Sequence, residues 1–173
     1  YTRGSVIPYF IDLMKAGKPL AVTNKDMTRF LMSLENSVDL VLHALTQGEN
    51  GCIYVQKSPA ATVGDLAQAL AELFDYKKGV KEIGIRPGEK MHEALISSEE
   101  IFRAKDVSNY YKINSESPNI DYRNYYFKGI DKDSLLKDGY NSFNTERLDV
   151  KSIKKLLLSL DEVKEELKKW NNR

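Results

Sequence analysis

Apolar residues return at helical spacing from Ser5 to about Ala16, with Val6, Ile7, Phe10, Leu13 and Met14 on one side and Gly17 breaking the pattern. A strand is predicted from Leu20 to Thr23. A polar turn over Asn24, Lys25 and Asp26 follows, then a second short strand in MTRFLMS that carries Arg29 beside apolar neighbours. Leu34, Val38, Val41, Leu42 and Leu45 form the next helical stripe, ended by QGENG. Cys52 to Gln56 reads as a buried strand. Thr62 with Asp65 three residues on has capping-box spacing, and Leu66, Ala69, Leu70, Leu73 and Phe74 form the apolar face of the helix it opens. Val80 to Ile85 is a strand that delivers RPGEK, Arg86 to Lys90. The order helix, strand, strand, helix, strand, helix, strand predicts an α/β fold.

Past about Ile96 the pattern changes. Tyr110 to Tyr126 is rich in Tyr, Asn and Ser with little periodicity, the composition of a long surface excursion or extended arm. Asp149 is placed to cap a final helix, with Val150, Ile153, Leu156, Leu157 and Leu160 on one face and a Lys/Glu-rich tail beyond. The predicted organisation is an α/β region over 1–100, an arm over 101–149 and a C-terminal helix over 150–173.

Composition narrows what these elements can do. With 173 residues and 42% hydrophobic content the chain can bury one core, with room for a small satellite. The 26 basic and 25 acidic side chains are interspersed at a net charge of +1, so no overall field draws the chain to nucleic acid or anionic lipid. The single Cys52 excludes an internal disulfide framework and suits a core thiol in a reducing compartment. No apolar run approaches the ~20 residues that cross a bilayer, and YTRGSVIP is not a basic, apolar leader, so the expected location is the cytoplasm. Without an initiator Met, the chain reads as a piece of something longer.

Self-contained catalytic motifs are missing. Neither GxGxxG, GxxxxGK[ST] nor GxSxG occurs. His43 sits in a helix stripe and His92 stands alone in MHEAL, so both read as structural and no metal site is expected. RPGEK is the remaining candidate. Pro-Gly is a turn signal in its own right, yet it also sets Arg86 and Glu89 three residues apart, where both side chains can face one pocket.

The runs RGSVIPYF, DMTRFLMSLENSVDLVLHAL and IGIRPGEKMHEALIS resemble the C-terminal half of UDP-N-acetylglucosamine 4,6-dehydratases of the inverting, 5-epimerising branch. These are extended short-chain dehydrogenase/reductases that make nucleotide-sugar precursors of capsule and O-antigen. YNSFNTERLDV looks like that branch's C-terminal segment. The resemblance implies a small mixed α/β substrate-binding domain of a Rossmann-type enzyme, with an extended arm and a final helix. NADP and the Tyr-x-x-x-Lys pair would belong to an N-terminal half not present in this sequence, so no catalytic, cofactor or metal residue is assigned here and the chain alone should be inactive.

For the UDP-sugar, the resemblance implies Arg29 at the pyrophosphate and Arg86 at the same phosphate. A guanidinium meets such charge with a rigid fork of donors. Glu89 would accept from the ribose hydroxyls, and Val6 would pack a helix start against the nucleotide. The backbone of Leu20 to Thr23 would face the uracil edge, and Arg3 and Ser5 would lie near the sugar. The strand Cys52 to Gln56 would join the Rossmann sheet, leaving apolar surface without its cover, and the 101–149 arm would serve a homo-oligomer. Two alternatives stand beside this: another UDP-sugar enzyme of the superfamily, a 4-epimerase or retaining dehydratase, or a non-catalytic interaction module carried by Asn109 to Phe127.

Overall fold

The computed structural model describes residues 5–115 and 138–172. They fall into two compact units. The first gathers the described residues up to Arg29 with Ala60–His92 and the chain from Arg147 onward. The second holds Phe30–Pro59 with the described parts of Glu93–Glu146.

In the first unit, helix α1 (Val6–Lys15) buries Ile7, Phe10 and Met14 of the expected positions together with Ile11, while Val6 and Leu13 are half-buried. Strand β1 (Leu20–Val22) pairs in parallel with β5 (Val80–Glu82). The predicted strand to Ile85 stops early because Gly84 turns to φ +87°, although Ile83 N–H still donates to the Val22 carbonyl at 2.8 Å. Strand β2 (Thr28–Phe30) pairs with β4 (Ala60–Thr62). Thr62 then caps α3 (Val63–Leu73), its hydroxyl accepting from Asp65 N–H at 2.9 Å. Helix α4 (Val150–Ser159) opens on Asp149, whose carboxylate accepts from Ser152 N–H at 2.7 Å, and packs against α3.

The expected single final helix is in fact two. Leu160 takes an extended ψ of 120°, and α5 (Asp161–Asn171) starts afresh. Asp161 and Glu162 suit the positive end of a new helix better than the middle of an old one. Trp170 on α5 meets Phe74 edge-on, ring centroids 5.6 Å apart, so α5 closes the core that α1, α3 and α4 begin.

The second unit is built on an antiparallel sheet in the order β3 (Ile53–Gln56), β8 (Tyr110–Ile113), β7 (Ala104–Val107). Two expectations are corrected here. The Cys52–Gln56 strand is not a member of a parallel sheet, since its ladder to β8 is antiparallel, with Val55 opposite Tyr111. The start of the Tyr-rich stretch is not aperiodic: in YYKI, Tyr111 and Ile113 are buried, and that alternation is what pairs it on both sides. From residue 116 on, that stretch and the interaction surface expected there lie outside the described residues, as do residues 116–137 of the arm expected over 101–149; residues 101–115 and 138–146 of that arm belong to this unit.

A 3-10 turn (Glu100–Arg103) and the pair β6 (Ala94–Ile96) and β9 (Tyr140–Asn141) complete the second core. Val55, Ile96, Ile101, Ala104, Tyr111, Ile113 and Tyr140 form it, with Phe30 against them. Helix α2 (Leu34–Gln47), capped reciprocally by Ser33 and Asn36, turns the other way from its pattern. It has no buried residue, and its apolar stripe is open, Leu34 at 73% and Leu45 at 77% exposure.

Candidate functional site

The strand that carries Arg29 meets the segment just past RPGEK in the first unit. Thr28 is buried at 1% exposure and bonds to the segment that leaves RPGEK in two ways. Its N–H donates to the Met91 carbonyl at 2.9 Å, and its Oγ1 lies 2.8 Å from His92 Nδ1. Strand β2 thus runs beside residues 91–92, although more than sixty positions separate them. On the same strand, Arg29 is half-buried and its guanidinium is held from behind. Nη1 donates to the Thr28 carbonyl at 2.7 Å and to the Met91 carbonyl at 3.4 Å, and Nη2 contacts Met27 Sδ at 2.8 Å.

Arg86 to Glu89 form the turn the sequence signals. Pro87 presets the first central angle and Gly88 takes φ +85°, as a type II turn requires, while Glu89 N–H donates to the Arg86 carbonyl at 3.1 Å. Glu89 folds its carboxylate back over this turn, Oε2 accepting from the Arg86 N–H at 3.1 Å. One carboxylate oxygen is therefore a turn brace. Arg86 itself is exposed.

Val6 stands on a separate element of the same unit, half-buried as the first residue of α1. Ser5 caps that helix by backbone alone, and its Oγ is buried with no partner among the described residues. Arg3 lies outside the described residues. The backbone of Leu20–Val22 is partly committed, because Leu20 N–H donates to Gly79 and Val22 C=O accepts from Ile83.

His92 and Met91 are the site neighbours that sequence reasoning passed over. A lone histidine offers no spacing signal, and its contact with Thr28 follows from the pairing of β2 with the chain past the turn. Among the described residues no group of His, Cys, Asp and Glu could hold a metal, and no helix is long and apolar enough to cross a membrane. A dinucleotide finds no cradle either, since no glycine-rich turn joins a strand to a helix in these residues.

The second unit contains a cleft of about 290 Å³ lined by Lys57, Ser58, Tyr111, Tyr140, Asn144 and Thr145, among others. Its polar groups are turned on one another. Tyr140 Oη bonds both backbone groups of Ser58 at 3.0 Å and lies 2.9 Å from Thr145 Oγ1, and Lys57 pairs with Asp106 at 2.6 Å. Burial pushes the Tyr140 and Tyr111 hydroxyls above the usual tyrosine range. The cleft reads as a satisfied structural network.

The family described as "Polysaccharide biosynthesis protein" matches residues 1–115, and that described as "Polysaccharide biosynthesis protein C-terminal" matches 118–164. Proteins named UDP-glucose 4-epimerase from Rickettsia typhi and Rickettsia massiliae are each 52% identical over 167 residues, 96% of this chain and 49% of theirs. The crystal structure of Pen from Bacillus thuringiensis aligns with a TM-score of 0.74 at 27% identity, over 91% of this chain and 46% of that one. The chain spans about half the length of the relatives it matches. Matched by these two family descriptions over nearly all of its residues, the chain belongs to the polysaccharide biosynthesis protein family.

Proposed function

We propose that this chain is the part of a nucleotide-sugar-modifying enzyme that grips the UDP end of its substrate. The observation that supports this best is the packing of Arg29 beside the chain that leaves the Arg86–Glu89 turn. A diphosphate in transit from water needs fixed cationic donors. Arg29 meets that need at low entropic cost, because its guanidinium is already oriented by Thr28, Met91 and Met27. Arg86, exposed on a rigid turn, supplies the second fork, and the Glu89 oxygen not bonded to the turn accepts from ribose hydroxyls. The start of α1, at Ser5 and Val6, adds a positive helix end to the same unit.

NADP does not fit the residues described here, and in this reading it is held by the remainder of the longer protein, with the acid and base groups. The chain by itself is then inactive. Its contribution is positional: a firmly held UDP fixes the hexose for chemistry elsewhere.

The reaction we favour is UDP-N-acetylglucosamine 4,6-dehydration with inversion at carbon 5, on the likeness of the three motif runs. A 4-epimerase is the second reading, favoured by the name its 52% identical relatives carry. Incubating the complete protein with UDP-N-acetylglucosamine separates them: a product lighter by one water marks the dehydratase, and an isomer of unchanged mass marks the epimerase. The UDP-binding claim is tested by calorimetry. Arg86→Ala in the complete protein should weaken UDP by at least about tenfold, the low end of the ~1.5–3 kcal/mol that a charged hydrogen bond contributes. Unaltered affinity rules the role out.

A further inference from the structure

Arg29 and Arg86 lie on different elements, so one diphosphate can meet both only if those elements keep a fixed register. The structure shows what fixes it. Thr28 sits at the crossing, with its amide on the Met91 carbonyl, its hydroxyl on the His92 ring and its carbonyl under the Arg29 guanidinium. It is 1% exposed, so water cannot replace a lost partner for its hydroxyl. His92 follows the RPGE turn by three residues and is the side chain that answers that hydroxyl from the far segment.

We infer that His92 is a positioning residue for diphosphate recognition, acting through Thr28 to hold the Arg86 turn at a fixed offset from Arg29. The inference rests on the UDP reading above. Its chemistry is specific: the contact uses Nδ1, the ring nitrogen nearer the backbone. An Asn side chain places an amide where Nδ1 stands, whereas a Gln side chain carries its amide one bond further out, where Nε2 stands. Either amide can donate or accept, so neither depends on the imidazole tautomer. Loss of the contact frees the turn to shift relative to β2. A ligand that bridges the two arginines should then suffer most, and a nucleoside that meets the turn only through Glu89 should suffer less.

The experiment uses the complete protein and ligand-observed NMR titrations with UDP and with uridine. For His92→Ala and Thr28→Val, UDP affinity should fall at least tenfold, and uridine affinity, which meets the turn only through Glu89, by no more than about threefold. His92→Asn should recover UDP affinity to within about threefold of wild type, and His92→Gln should not. The Asn and Gln variants differ by one methylene, which keeps the comparison informative even where His92→Ala fails to fold. Equal UDP affinity for Asn and Gln variants, or a parallel fall for UDP and uridine, overturns the positioning role and leaves the UDP reading standing. A wild-type protein that binds no UDP overturns both.

Discussion

Consider Tyr140→Phe, which removes one oxygen and leaves the ring. That oxygen is 3.0 Å from Ser58 N, from which it accepts, and 3.0 Å from the Ser58 carbonyl, to which it donates. Tyr140 and Ser58 are 3% and 4% exposed, so water does not stand in. The two Ser58 groups fare differently after the change. Its carbonyl keeps Thr145, whose hydroxyl donates at 2.8 Å, but its N–H is orphaned. One buried unsatisfied donor costs ~1–3 kcal/mol, and we take about 2 kcal/mol as the expected loss. For a chain of 173 residues this corresponds to a drop in Tm of roughly 4–8 °C. Thermal and urea denaturation followed by circular dichroism measure both quantities. Thr145→Val is the control, since it leaves the carbonyl with Tyr140 and should cost only about 1 kcal/mol. The double variant strips both groups of Ser58 and should lose more than the sum. A Tyr140→Phe protein within ~0.5 kcal/mol of wild type would refute the reasoning, because it would mean the Ser58 amide had another partner.

Three further outcomes follow from the same structure. Gly139 has φ +77°, and a Cβ there would lie 2.2 Å from the Ile96 carbonyl oxygen, so Gly139→Ala should cost at least about 2 kcal/mol in urea denaturation. Lys15 Nζ lies 2.6 Å from Glu166 Oε2, and this ion pair holds the Glu166 carboxyl below its usual range despite an opposing desolvation. A carboxylate with a lowered folded pKa stabilises above its unfolded value and loses that contribution as pH falls. Stability should therefore decline below about pH 4.5, and Glu166→Gln should flatten that decline, read by the fluorescence of Trp170, the single tryptophan. On α2, Val41→Glu with Leu45→Glu should lower the self-association of the isolated 173-residue chain in sedimentation velocity, and an unchanged distribution would show that the open stripe is not what associates.

What the sequence disclosed depended on whether a local pattern matched the surroundings it folded into. Helices α1, α3 and α4 were legible because each faces the core of the first unit, and because Thr62 and Asp149 mark the starts of α3 and α4 chemically. The α2 stripe was legible as a helix and misleading as a core. Its apolar positions are a statement about a surface, and periodicity cannot say what covers it. The division at Leu160 was hidden since amphipathic spacing continues through LSLDEV, and only Asp161 and Glu162 betray a new first turn. Strands β6 and β9 are too short to show an alternation, β7 buries only Ala104, and their pairing comes from distant partners. For the site, the type II turn at Pro87–Gly88 and the strand carrying Arg29 could be read directly. The Thr28–His92 contact could not, because it exists only once β2 lies beside the chain past the turn.

The central claim is that Arg29 and Arg86 share one diphosphate. A double-mutant cycle on UDP affinity in the complete protein, with Arg29→Ala, Arg86→Ala and both, addresses it. The account predicts a loss of at least about tenfold for each single change and a coupling between them of roughly 1 kcal/mol or more. UDP affinity that survives both substitutions, or two losses that simply add, would contradict it.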